Sequence, residues 1–263
     1  MTGATDSSNI RVLDRALAVL NALVDFREDA GVTEIASTVG LSKATVHRLL
    51  VTLEAHRVVL RTENGRYRMG SAPLLWAETY RRQTDLVTLA KPVLKNLLQE
   101  VGETIHLSRF QNGETFYLDK LESSHPVGMR SRIGATLAMY CTAAGRAILA
   151  SLPQAELDLY LRSVPIVSRT ERTLTTPKEL LAMLGTVRER GWAEENQENE
   201  EGIRCVGAAI LNAKGYPVGA LSISAPAYRF ADDQLRPLGE KVLEAALAIS
   251  KLLGYDGGTP SYP

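Results

Sequence analysis

Residues 32–50 constrain this chain more than any other stretch, because their apolar positions fit two short helices folded across one glycine. Ile35, Ala36, Val39, Leu41, Val46, Leu49, Leu50 and Leu53 keep the three-and-four spacing of a buried helical stripe, which leaves Ser42, Lys43, Thr45, His47 and Arg48 outward. Gly40 supplies the positive φ that ends the first helix, and the Ser42 hydroxyl caps the second. A helix capped in this way leaves its first amides and Lys43 free to meet a phosphate, and it fits the major groove of a duplex. A plain helical hairpin with a solvated outer face matches the same pattern. The next segment favours the duplex. Residues 58–62 and 66–69 alternate as strands joined through Glu63-Asn64-Gly65, which adds a wing. From Ser42 to Met69 there are six cations, Lys43, Arg48, Arg57, Arg61, Arg66 and Arg68, against two acids, Glu54 and Glu63.

That local excess matters because the formal net charge of the whole chain is zero. Nothing global draws the protein to a polyanion, so binding is expected to be modest and strongly salt-dependent. At 263 residues the chain is long enough for two domains, and 45% apolar with 23% charged residues is ordinary for globular structure. Cys141 and Cys205 lie far apart in apolar runs, the pattern of reduced thiols rather than of a disulfide framework. No apolar run approaches the ~20 residues that span a bilayer, and residues 1–9 lack a signal-peptide core, so a cytoplasmic location is expected.

The expected organisation is α+β. A winged helix-turn-helix occupies residues 1–70, opened by a helix striped with Ile10, Leu13, Ala16, Leu17, Leu20 and Leu23. A linker helix follows over 71–85, then an effector-binding and oligomerisation domain over 86–255, and a disordered tail over 256–263. In the second domain, strands 104–109 and 115–121 flank Gln111-Asn112-Gly113, and 142–152 reads as a small-residue helix stopped by Pro153. Thr176-Pro177-Lys178-Glu179 is a capping box for a helix that ends at Gly191. Strands 205–211 and 218–224 precede a last helix opened by Asp232 or Asp233. The architecture these elements imply is an antiparallel sheet flanked by helices.

The most acidic run, residues 194–202, reads mainly as a solvated loop, yet one carboxylate turned inward would reach the rim of a cavity floored by the strand pair. Ser222 and Ser224, two apart on a strand, share a face and suit a small polar ligand; they equally suit bonds to each other or to backbone. Between Gly134 and Arg146, small residues let a ligand approach the main chain. Catalytic signatures are missing: there is no nucleophile elbow, P-loop, dinucleotide fingerprint or zinc-protease motif, and His47, His56, His106 and His125 lack metal-ligand spacing. A metal held by His106, His125 and Cys141 or Cys205 stays open as a three-dimensional alternative. His106, on a strand, reads first as a packed core histidine.

Taken in order, these motifs resemble the IclR family of bacterial transcriptional regulators over about residues 11–253. The resemblance rests on Ile35-Ala36, Gly40-Leu41, Thr45-Val46-His47-Arg48-Leu49-Leu50 and Tyr67-Arg68-Met69-Gly70. Further on it rests on Gly102-Glu103-Thr104-Ile105-His106-Leu107, Thr142-Ala143-Ala144-Gly145-Arg146-Ala147, Arg190-Gly191-Trp192-Ala193, Glu201-Gly202-Ile203-Arg204-Cys205-Val206 and Leu221-Ser222-Ile223-Ser224-Ala225-Pro226. It implies operator binding as a homodimer or dimer of dimers, and a GAF-like domain that takes a small organic or aromatic carboxylic acid. Carried over by position, Met129, Leu137, Ala143, Ala144, Glu195, Ile203, Cys205, Ser222 and Ser224 would line that pocket, with the serines and nearby amides on the carboxylate. The family commonly has proline and histidine where Ala138 and Tyr140 stand here, aspartate at Glu195 and lysine at Arg146. Tyr140 is a candidate to stack on an aromatic acid, or simply fills space.

On this reading the DNA contacts are Ser42, Lys43, Thr45, His47 and Arg48 in the groove, with Arg61, Arg66 and Arg68 on the flanking backbone. No cofactor, metal or membrane partner is expected, and nothing in the residues chooses between repressor and activator. The rival is an enzyme acting on a small carboxylate, with Cys141 or Cys205 as nucleophile and His106 as base. A third reading is a winged helix that binds RNA or protein and has no ligand.

Overall fold

Gly40 adopts the left-handed conformation that the two-helix reading requires, φ 65°, and separates α2 (Val32–Val39) from α3 (Lys43–Ala55). The computed structural model describes residues 10–26, 28–83 and 85–257, so the starting segment 1–9 and most of the expected tail lie outside the described residues. Helix α1 (Arg11–Asp25) joins this core through its C-terminal half, where Val19 and Leu23 pack with Ile35, Val46 and Leu50. Its apolar stripe is rotated from the one read in the sequence. Leu13 and Leu17 are exposed, whereas Val19, Ala22 and Leu23 are buried.

The wing forms as β1 (Val59–Arg61) and β2 (Tyr67–Met69), antiparallel with Val59 opposite Met69. Buried Tyr67 anchors it by exchanging both backbone hydrogen bonds with Ala30, at 2.8 and 2.9 Å. Helix α4 (Ala72–Gln83) follows directly, its first amide donating to the Arg57 carbonyl. The chain divides into two compact units at Thr84/Asp85. The segment taken as a separate linker, 71–85, thus supplies the last helix of the first unit and the first residue of the second. At its start α4 is held to the first unit by the bond from the Ala72 amide to the Arg57 carbonyl.

The second unit opens with α5 (Asp85–Val101). Among the described residues it holds a five-stranded antiparallel sheet in the order β4-β3-β7-β6-β5. Its strands are β3 (Thr104–Gln111), β4 (Glu114–Leu121), β5 (Ala193–Asn196), β6 (Ile203–Leu211) and β7 (Pro217–Pro226). Helices α6 (Ala143–Ser151), α7 (Gln154–Ser163), α8 (Pro177–Arg190) and α9 (Asp232–Leu252) complete it. The capping box on α8 forms as read, with Gly191 closing the helix at φ 83°.

Period-two alternation sorts the strands between two layers. Ile105, Leu107, Val206, Ala208, Leu221 and Ile223 face α5 and α9, meeting Leu94, Val242, Ala246 and Ile249. The residues between them turn to the other face, beneath α6, and here the alternation is interrupted by polarity: His106, Ser222 and Ser224 are all buried. These residues form a buried polar row beneath α6, of the kind that needs hydrogen-bond partners.

Candidate functional site

Two regions gather polar groups, one on each unit. On the first unit, Ser42 caps α3 by accepting from the Thr45 amide at 3.3 Å, and its hydroxyl also lies 2.9 Å from that of Thr45. Ser42, Lys43, His47 and Arg48 are exposed and Thr45 is half-buried, so the sequence-read reading helix presents the residues assigned to it. On the wing, Arg61 and Arg68 are exposed as expected. Arg66 is not free in the same way. Its Nε lies 2.6 Å from Asp29 Oδ1 and its Nη2 2.8 Å from Glu34 Oε2, and these acids, Asp29 foremost, raise its pKa further. The guanidinium ties the wing to the start of α2, which corrects its assignment as a backbone clamp: its charge is already partnered within the fold.

On the second unit, the sheet's polar row meets the N-terminus of α6. Thr142 caps this helix, accepting from the Gly145 amide at 3.3 Å, so the helix itself offers no acceptor to the amides of Ala143 and Ala144. The close approach depends on Gly207 of β6. A Cβ there would stand 2.9 Å from both the Ala143 carbonyl carbon and the Ala144 nitrogen. Between helix and sheet lies a cavity of about 50 Å³. Nine of the ten sequence-assigned ligand residues line it: Met129, Leu137, Ala143, Ala144, Glu195, Ile203, Cys205, Ser222 and Ser224.

Strand register explains the gathering. Ser224 pairs with Cys205, Cys205 with Glu195, and Ser222 with His106, which sets four adjacent strands' side chains across one face. Tyr140 does not join them. It lines a separate cleft outside the cavity, where its hydroxyl donates to the Val167 carbonyl at 2.8 Å. The expectation that it belongs to the cavity lining is corrected on that geometry.

Sequence reasoning missed His106 as a lining residue, together with Tyr117, Arg130, Ser131, Thr142, Asn199 and Glu200. The His106 Nδ1 is 3.3 Å from Ser224 Oγ and its Nε2 2.6 Å from Ser131 Oγ. Burial first, and Lys120 second, lower its pKa to about 3, so the ring stays neutral and holds one proton between two hydroxyls. Residues 129–137 form a strap over the cavity. Lys120 Nζ donates to the Met129 carbonyl at 2.8 Å, and the Leu137 amide to that of Thr115 at 2.8 Å.

The acidic run is less solvated than its composition suggested. Glu200 and Glu201 are exposed, but Glu195 and Glu198 are buried. Glu198 pairs at 3.0 Å with Arg146, a fully buried guanidinium that also donates to the carbonyls of Tyr140 and Glu194. Glu195 Oε1 accepts from the amides of Glu198 and Asn199, yet burial outweighs those bonds and raises its pKa to about 7. The thiols are poor nucleophiles: burial pushes Cys141 up to about 11 and Cys205 well above its ordinary value. Burial thus works against both the thiolate and the imidazolium that a Cys/His pair would use. Among the described residues no cluster of His, Cys, Asp and Glu is placed to hold a metal, and His125 sits beside Glu103 instead.

Comparison with known proteins matches both units. Residues 12–63 match the IclR helix-turn-helix domain, and residues 78–251 the bacterial transcriptional regulator IclR C-terminal family. The HTH-type transcriptional regulator XynR of Escherichia coli is 34% identical over 247 residues, covering 94% of this chain and 98% of that protein. The crystal structure of the Thermotoga maritima IclR superposes with a TM-score of 0.81 at 34% identity, over 94% of this chain and all of that one (100%). An IclR homolog from Microbacterium hydrocarbonoxydans, complexed with 4-hydroxybenzoate, shares the fold at a TM-score of 0.77 and 23% identity, over 92% and 98% of the two chains.

Proposed function

Because the chain belongs to the IclR family of bacterial transcriptional regulators, we propose that α3 reads operator DNA in the major groove while the cavity takes a small organic acid that changes operator affinity. Lys43, Arg48 and the hydroxyls of Ser42 and Thr45 meet bases and phosphates, and Arg61 and Arg68 hold the flanking backbone. Arg66 supports the wing rather than the duplex. The protein works as a homodimer or dimer of dimers, so that paired α3 helices meet paired half-sites.

In the second unit the acid's carboxylate accepts from the Ala143 and Ala144 amides and from the hydroxyls of Ser222 and Ser224. Protonated Glu195 tolerates that anion beside it. Neutral His106 keeps the two hydroxyls around it oriented. The single observation that supports the reading is this cavity, in which helix amides and two buried strand hydroxyls converge on one small space. Binding changes operator affinity to the extent that the acid favours one arrangement of the protein, typically by ~1–3 kcal/mol of coupling.

The test is a fluorescence-anisotropy titration of the protein on its upstream intergenic duplex, repeated across a panel of organic acids, with thermal stabilisation by the same panel read in parallel. The expected result is salt-dependent duplex binding that one class of acid shifts. Acids that stabilise nothing, together with a duplex left unbound at low salt, would defeat the reading. An RNA- or protein-binding winged helix without a ligand would show no stabilisation by any acid.

A further inference from the structure

The cavity between α6 and the sheet, about 50 Å³, holds a few water-sized groups: a carboxylate and little more. Immediately outside it lies an open cleft of about 520 Å³, the size of an ordinary small-molecule site. Its walls include Tyr140, Tyr160, Val164 and Val167, and Leu137 lines the cleft and the cavity alike. The Leu137 main chain is held to Thr115 of β4, but its side chain is only half-buried, so a rotamer change joins the two spaces without breaking a hydrogen bond.

We propose that the effector is an amphipathic carboxylic acid, its carboxylate in the cavity and its apolar end passing Leu137 to lie against Tyr140 and Tyr160 in the outer cleft. The inference rests on the carboxylate site described above and adds what lies beyond it. The cavity cannot take a six-carbon ring, whereas the cleft is wide enough for one. The bond from the Tyr140 hydroxyl to the Val167 carbonyl fixes that ring as a flat wall and satisfies its polar end. Apolar surface that the cleft leaves open to water is then covered by the acid's own tail.

Calorimetric titration of the full chain with propanoate, 3-phenylpropanoate and octanoate tests this. The two longer acids are expected to bind about tenfold tighter or more, since each buried methylene or ring adds favourable transfer free energy. Val167→Asp, in the cleft wall only, should cancel most of that advantage while leaving propanoate within about twofold, because it puts a charge in the path of an apolar tail. Leu137→Trp, which fills the passage, should also remove the advantage of the longer acids. Equal affinity for all three acids, or an advantage that survives both substitutions, overturns the two-chamber site. If propanoate binding is still lost in the Ser222→Ala, Ser224→Ala double variant, the carboxylate site stands without it. Failure of all three acids to bind overturns both.

Discussion

The N-termini of α3 and α6 are built alike and placed oppositely. Each is capped by a hydroxyl that accepts from the amide three residues on at 3.3 Å, Ser42 from Thr45 and Thr142 from Gly145. Each therefore offers the partial positive charge of a helix start, equivalent to roughly half an elementary charge. Helix α3 presents its start to water beside Lys43 and Arg48, whereas every residue from 142 to 150 is buried against the sheet, close to Glu195 and Glu198. In water a helix start is screened, so α3 needs neighbouring cations and a partner with many charges. The start of α6 is buried, where screening is weaker, so on the proposed function it would serve one small anion, with nearby carboxylates deciding whether that anion is tolerated. On the proposed function the same local device would serve a polyanion in the first unit and a single carboxylate in the second.

The largest way to break this contrast is to remove what holds the buried end together. Arg146→Met leaves Glu198 buried without its cation, which typically costs ~3–5 kcal/mol. Urea denaturation followed by circular dichroism should show that loss in the second unit, and a change below about 1 kcal/mol would mean that Glu198 finds water or a proton without strain. The exposed end should behave differently. Lys43→Ala with Arg48→Ala should lower operator affinity by about a hundredfold, at ~1–3 kcal/mol for each groove contact, without moving the melting temperature. Binding retained by that double variant would remove α3 from the interface.

Within the cavity the effects are smaller. Ser222→Ala with Ser224→Ala should weaken effector binding by about ten- to a hundredfold, the loss of hydrogen bonds to a charged group, and leave operator affinity without effector unchanged. Unchanged calorimetric affinity would move the pocket elsewhere. Glu195 adds a pH dependence of known sign. Burial raises its pKa to about 7, so it is neutral below that value and ionised above it. Around it Cys205 stays a thiol, His106 stays neutral, Glu198 is paired with Arg146, and Glu200 stands at the exposed rim. An anionic effector should therefore bind best below pH 7 and weaken as pH rises, by at most about tenfold per unit. Glu195→Gln should flatten that profile, and a profile unchanged in the variant would place the titrating group elsewhere.

The reading helix was visible in the sequence because everything that makes it, Gly40, Ser42 and the apolar stripe, lies within one short window with a single periodicity. Ser222 and Ser224 were visible as a pair for the same reason. Their partner His106 was not, since the bond between His106 and Ser224 joins residues 118 apart and depends on β3 lying beside β7. The strap over residues 129–137 follows no helical or strand period, so nothing in its spacing announced a cavity roof. Tyr140, read as a departure from the family's pattern that could stack on a ligand or fill space, stands next to the small-residue helix in sequence, yet it lines the outer cleft. Glu198 and Arg146 were hidden too, because composition alone cannot distinguish a solvated carboxylate from one buried against a guanidinium.

Arg66 gives the finest test of the exposed end. In sequence it is indistinguishable from Arg61 and Arg68, since its partners Asp29 and Glu34 lie 37 and 32 residues away. A cation that neutralises a phosphate releases a counterion, and its removal lowers the slope of log K against log salt by about one. Arg61→Ala and Arg68→Ala should each show that decrease. Arg66→Ala should leave the slope as it is and instead loosen the wing, seen as faster amide exchange at Tyr67, whose backbone is bonded to Ala30. If Arg66→Ala lowers the slope as much as the other two do, its ion pairs give way to phosphate on the duplex, and the wing carries three contacts instead of two.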